Sequence, residues 1–117
     1  MQEVKIWHNP KCSKSREAMA ILQENGCEAE VVKYLEEKPD TNKIKTILKM
    51  LGIKPRELMR TKEDIYQELH LMDEKSDEAL IEAMAKHPKL IERPIIIKGN
   101  IAIIGRPSER IAEFLKN

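Results

Sequence analysis

Cys12 is the residue best placed to do chemistry, and its neighbours say which chemistry. It lies in Trp7-His8-Asn9-Pro10-Lys11-Cys12-Ser13-Lys14-Ser15-Arg16. A strand-like apolar run, Val4 to Trp7, ends there in the turn signal Asn9-Pro10. Ala18, Ile21 and Leu22 then recur at helical spacing up to a Gly26 stop. The cysteine is thus expected at a strand-to-helix turn, on or just before the first helical turn. There, unsatisfied backbone N–H groups and the helix dipole favour negative charge. A thiol in such a place ionises more easily, its pKa falling from about 8.5 into the range of roughly 3.5–7.5. Lys11, Lys14 and Arg16 push the same way, and His8 is within reach. Such a turn offers an anionic, thiol-reactive substrate both a nucleophile and a cradle.

A free cysteine is otherwise often a small buried hydrophobe. Cys27 fits that description, because it follows Gly26 and has no nearby cations. His70 has no ligand-like partners around it and reads as surface. The two cysteines are too far apart for Cys-x-x-Cys, too few for a disulfide scaffold, and not in zinc-ligand spacing with histidine. A reducing, cytoplasmic setting follows as the expectation. The net charge of +1 gives no global reason to expect a nucleic-acid or membrane surface, so any anion site must be a local cluster of cations. No apolar run is long enough to span a bilayer, and the N-terminus lacks a signal-peptide pattern.

The elements that must position Cys12 follow from the pattern. At 117 residues the chain is expected to form one domain, residues 1–117. With only 3% aromatic residues, its core must come from Ile, Leu, Val, Met and Ala. Residues 3–8 read as a strand, 13–25 as a helix and 28–34 as a second strand, a βαβ unit with parallel strands. Glu36-Glu37-Lys38 reads as a solvated loop. From about residue 40 to 87 the pattern is helical. One helix starts at Pro39-Asp40-Thr41 and ends at Gly52, a short one begins at Pro55, a third lies near 62–69, and a fourth runs over about 76–85 to His87-Pro88. This segment reads as a helical insertion. Pro94 to Ile104 contains two β-branched runs joined at Gly99-Asn100, an antiparallel hairpin signal. A last helix follows, with Pro107 expected in its first turn.

The order β-α-β, helical insert, β-β-α implies an α/β protein with a four-stranded mixed sheet flanked by helices. That layout resembles the thioredoxin fold, with the reactive turn at the carboxyl end of the first strand. Arg93-Pro94 falls where thioredoxin-like folds place a cis-proline facing that turn, so Pro94 is expected to be cis.

The motifs His8-Asn9-Pro10-x-Cys12-x-x-Ser15-Arg16, Arg60 after a Pro-containing helix, His87-Pro88-x-Leu90-Ile91-x-Arg93-Pro94-Ile95, and Arg106-Pro107-Ser108-Glu109 resemble the glutaredoxin-dependent arsenate reductase family in order and spacing. The likeness spans nearly the whole chain. Because the chain stops soon after its last helix, it is similar to the family's short members. The resemblance implies that Cys12 attacks arsenate while Arg60, Arg93 and Arg106 hold the oxyanion. Guanidinium groups suit this work, since they bind tetrahedral oxyanions in bidentate pairs. His8 is expected to help keep Cys12 as thiolate, Ser15 to donate a hydrogen bond to its sulfur, and Pro94 to present Arg93. The motif is Cys-x-x-Ser, with no second thiol to resolve an adduct. An external thiol is therefore expected, which fits glutathione followed by glutaredoxin, with no metal or bound cofactor.

Two other readings share the scaffold. One is a different glutathione-linked thiol oxidoreductase, acting on mixed disulfides or another oxyanion. The other is a redox-responsive transcription regulator that binds RNA polymerase, similar in fold and in the His-Pro-x-Leu…Arg-Pro-Ile-Ile-Ile stretch. Such regulators usually carry Cys-x-x-Cys and lack the arginine matching Arg106, whereas this chain has Ser15 and Arg106.

Overall fold

The computed structural model describes residues 3–116. They form two compact units: residues up to Glu37 together with those from Arg93 onward, and Lys38–Glu92.

The first unit is built on a four-stranded sheet in the order β2-β1-β3-β4. Strand β1 is Val4–Trp7, β2 is Glu30–Val32, β3 is Ile95–Lys98 and β4 is Ile101–Ile104. β1 pairs parallel with β2, in register Ile6↔Val31, and antiparallel with β3, in register Ile6↔Ile96. β3 and β4 form the expected hairpin, turning at Gly99 with φ +60°. Helix α1, Ser13–Glu24, makes the parallel crossover, and α7, Glu109–Lys116, closes the unit. Val4, Ile6 and Ile96 from the sheet pack with Ala18 and Leu22 of α1 and Ile111 and Phe114 of α7. Alternation along the strands and 3–4 spacing along the helices put these apolar groups on facing surfaces. Cys27 packs against this same core. This is the thioredoxin-like architecture, with Cys12 following the carboxyl end of the central strand β1.

The second strand departs from expectation. Residues 28–34 read as one strand, but only Glu30–Val32 pairs, and Tyr34–Glu37 forms a helical turn, α2. The Lys33 carbonyl accepts from the N–H groups of both Glu36 and Glu37, at 3.0 Å each. Glu37 Oε2 reaches back to the Lys33 N–H at 3.0 Å. The Tyr34 ring is buried and stacks on Trp7, centroids 6.0 Å apart. Local capping and one aromatic contact thus override the β-propensity of Val-Val-Lys-Tyr.

The second unit is helical: α3 Thr41–Leu51, α4 Pro55–Leu58, α5 Asp64–Glu68 and α6 Asp77–Lys86, with single 3-10 turns at Leu71–Asp73 and Pro88–Leu90. Their starts follow the sequence signals. Asp40 accepts from the Lys43 N–H at 2.8 Å, and the Ser76 hydroxyl accepts from the Ala79 N–H at 3.3 Å. Gly52 closes α3 at φ +69°, in the left-handed region. An isolated antiparallel bridge, Met59↔Ile91, is flanked by Arg60 N–H to Leu90 O and Glu92 N–H to Leu58 O, both 2.7 Å. Arg56 ties α4 to the following segments, donating to the Tyr66 hydroxyl and to the carbonyls of Leu71 and Glu74. Among the described residues, no helix is long and apolar enough to cross a membrane.

Pro107 does not enter the last helix. The N–H groups of Arg110 and Ile111 bond to the carbonyls of Pro107 and Ser108, at 3.1 and 3.0 Å. A tight turn therefore precedes Glu109, and Pro107 supplies only its carbonyl. The Arg93–Pro94 peptide bond is cis, as expected, and so is Arg106–Pro107, for which the sequence carries no such expectation.

Candidate active site

Cys12 is the N-cap residue of α1, with extended backbone angles, and is 8% exposed. The turn carrying it is closed by short-range bonds centred on Asn9. The Asn9 carbonyl accepts from the Cys12 N–H at 3.0 Å. Its side-chain oxygen accepts from the Lys11 N–H at 3.1 Å, and its own N–H donates to the Ser15 hydroxyl at 3.3 Å. Arg16 reaches back from α1 to donate to the Pro10 carbonyl at 3.0 Å. The approach from β1 is fixed by the His8 N–H donating to Val32 O at 2.9 Å.

Burial of Cys12 pushes its thiol pKa up. That effect is outweighed by the backbone N–H of Ser15, a hydrogen bond from the Arg93 guanidinium, the backbone N–H of Lys14 and the charge of Arg93. The net result is a thiol held below its ordinary value. The sulfur closes no capping hydrogen bond of ordinary geometry. The first-turn N–H groups favour its charged form through the dipole at the start of α1.

Ser15 is fully buried, and its hydroxyl accepts from Asn9, while its backbone N–H serves the sulfur. Burial lowers the pKa of His8, and the charges of Lys33 and Arg16 lower it further. The His8 ring is therefore neutral near pH 7, and its Nδ1 is buried with no hydrogen-bond partner among the described residues. Lys33 was not singled out in the sequence. Only the pairing of β1 with β2 brings it beside His8.

Arg93 and Arg106 stand across from each other at the open end of the β3–β4 hairpin. The register Ile95↔Ile104 continues outward through a bond from the Gly105 N–H to Pro94 O, at 2.9 Å. Arg106 Nε then donates to the Arg93 carbonyl at 2.8 Å. Gly105 leaves little room at this join. A Cβ there would come within 3.1 Å of both the Pro94 ring and the Ile111 δ-methyl. The Ser108 hydroxyl donates to Glu17 at 2.7 Å, which ties the segment after Arg106 to α1. Arg60 belongs to the helical unit, where it pairs with Glu63 at 3.5 Å. Among the described residues, no three His, Cys, Asp or Glu side chains group so as to hold a metal ion.

The fold is thioredoxin-like, and at the start of α1 it sets a cysteine whose thiol is held below its ordinary value, in part by an arginine. Within that fold class the chain belongs to the ArsC family, which matches residues 7–114. It is 53% identical over 116 residues to the uncharacterized protein YfgD of Escherichia coli K12, covering 97% of this chain and 98% of that one. It is 49% identical over 117 residues to an arsenate reductase of Neisseria meningitidis serogroup B, covering 98% and 100%. Among solved structures, an arsenate reductase from Vibrio cholerae superposes with a TM-score of 0.92 at 49% identity, covering 96% of this chain and 97% of that one.

Proposed function

We propose that this protein is an arsenate reductase whose nucleophile is Cys12. The observation that carries the reading is the Arg93 guanidinium on a Cys12 thiol already favoured as thiolate at the start of α1. One group can then hold an incoming oxyanion beside the sulfur that attacks it. The names of the Neisseria and Vibrio relatives support arsenate as that oxyanion. Arg106, adjacent to Arg93, supplies a second guanidinium. Arg60 enters this reading through the family resemblance.

In the proposed sequence, the Cys12 thiolate attacks arsenic(V) and an S–As bond forms. One arsenate oxygen takes up a proton and leaves as water. The thiolate of glutathione then attacks the Cys12 sulfur. The new S–S bond forms as the S–As pair departs with arsenic, which becomes arsenic(III). The two electrons come from the two thiols, now a mixed disulfide. Glutaredoxin removes the glutathione by thiol–disulfide exchange and restores Cys12.

The test is arsenate-dependent NADPH oxidation with glutathione, glutaredoxin and glutathione reductase. Cys12→Ser should abolish turnover, and Arg93→Ala should lower kcat/KM about 100-fold or more, as for loss of a charge-stabilising donor. Absence of turnover in wild-type protein whose Cys12 alkylates as a thiolate would move the substrate to another anion or to mixed disulfides.

A further inference from the structure

Both arginines of the hairpin end are expected to hold oxyanion, yet Arg106 is also joined to Arg93 itself. Its Nε–H is donated to the Arg93 carbonyl at 2.8 Å. The same end of the hairpin is locked by Gly105 N–H to Pro94 O at 2.9 Å. Arg93 in turn reaches Cys12 with its guanidinium. A chain of contacts therefore runs from the Arg106 side chain, through the Arg93 backbone, to the reactive sulfur.

We propose that Arg106 is a positioning residue in the substrate-free protein: its Nε–H, held by the Arg93 carbonyl, fixes the backbone from which Arg93 reaches Cys12. The inference rests on Cys12 as the reactive thiol, but not on arsenate as the substrate. It separates two properties of arginine. Nε carries the positioning bond, and the positive charge is a different matter.

Side-chain chemistry allows the two to be tested apart. Glutamine places an amide N–H donor one bond beyond Cδ, where arginine has Nε, and carries no charge. Lysine places a methylene there and keeps the charge. The charged and titratable groups around Cys12 otherwise stay the same in both variants. They are Lys11, Lys14, Arg16 and Glu17 on the turn and α1, His8 after β1 with Lys33 acting on it, and Arg93 before β3.

The experiment is the pH dependence of Cys12 alkylation by iodoacetamide, without arsenate and in a buffer free of oxyanions. Peptide mass spectrometry reads Cys12 apart from Cys27. Circular dichroism confirms that each variant is folded. Arg106→Ala and Arg106→Lys should raise the midpoint by about one pH unit, the size expected for weakening one charge-assisted hydrogen bond to the thiolate. Arg106→Gln should stay at the wild-type midpoint. The proposal is overturned if Arg106→Ala leaves the midpoint unmoved, since Arg106 would then act only on bound oxyanion. It is equally overturned if Arg106→Gln moves with Arg106→Ala, since charge rather than the Nε–H bond would be what matters. Neither result bears on whether arsenate is reduced, which the coupled assay reads separately.

Discussion

Ser15 shows how one buried residue can serve a site through its backbone and its side chain separately. Its N–H acts on the Cys12 sulfur, while its hydroxyl accepts from Asn9 and helps close the turn. Ser15→Ala removes only the second of these. It should cost about 1–2 kcal/mol in urea denaturation, because the Asn9 N–H loses its acceptor. The alkylation midpoint of Cys12 should hardly change. A large upward midpoint shift would show that the hydroxyl serves the sulfur directly.

The thiol also leaves a signature in stability. The pKa of Cys12 is lowered in the folded protein. The thiolate's contribution is therefore fully present above the unfolded thiol's value of about 8.5, and it is lost as pH falls through the lower folded value. The stability difference between wild type and Cys12→Ser should widen in favour of wild type as pH rises across that window, read from urea midpoints. A difference independent of pH would mean that the fold does not favour the thiolate.

Among the elements, the open end of the β3–β4 hairpin is the most demanding. Gly105→Ala would press a methyl group between the Pro94 ring and Ile111, both fully buried. We expect a loss of about 1–3 kcal/mol by thermal or urea unfolding, as for overpacked cores. Unchanged stability would show that Ile111 has room to give way. Much of the fold was legible because its signals are local. Asp40, Gly52 and Ser76 cap helices by chemistry carried in a few residues, and Gly99-Asn100 marks a hairpin. The helical turn at Tyr34–Glu37 escaped because it is secured by a Trp7 contact from a distant part of the chain. Pro107 misled because a proline before a helix suits the first turn, whereas here it supplies the carbonyl of the turn ahead of it. Cys12, Arg93 and Arg106 could be named from motifs. The bond from Arg106 to the Arg93 carbonyl needed the register of the hairpin, and Lys33 beside His8 needed the pairing of β1 with β2.

On the scale of the whole molecule, the net charge of +1 hides a concentration of cations around one thiol. The sheet that gathers them joins Trp7 to Ile95 across most of the chain's length. Such a distant pairing is entropically costly to close and forms only once both strands exist. During synthesis, α1 leaves the ribosome long before Arg93 and Arg106 do. Until they arrive, the nascent chain carries Cys12 without the arginine that lowers its pKa. Only when the last strands dock does Arg93 join the N–H groups of α1 in favouring the thiolate.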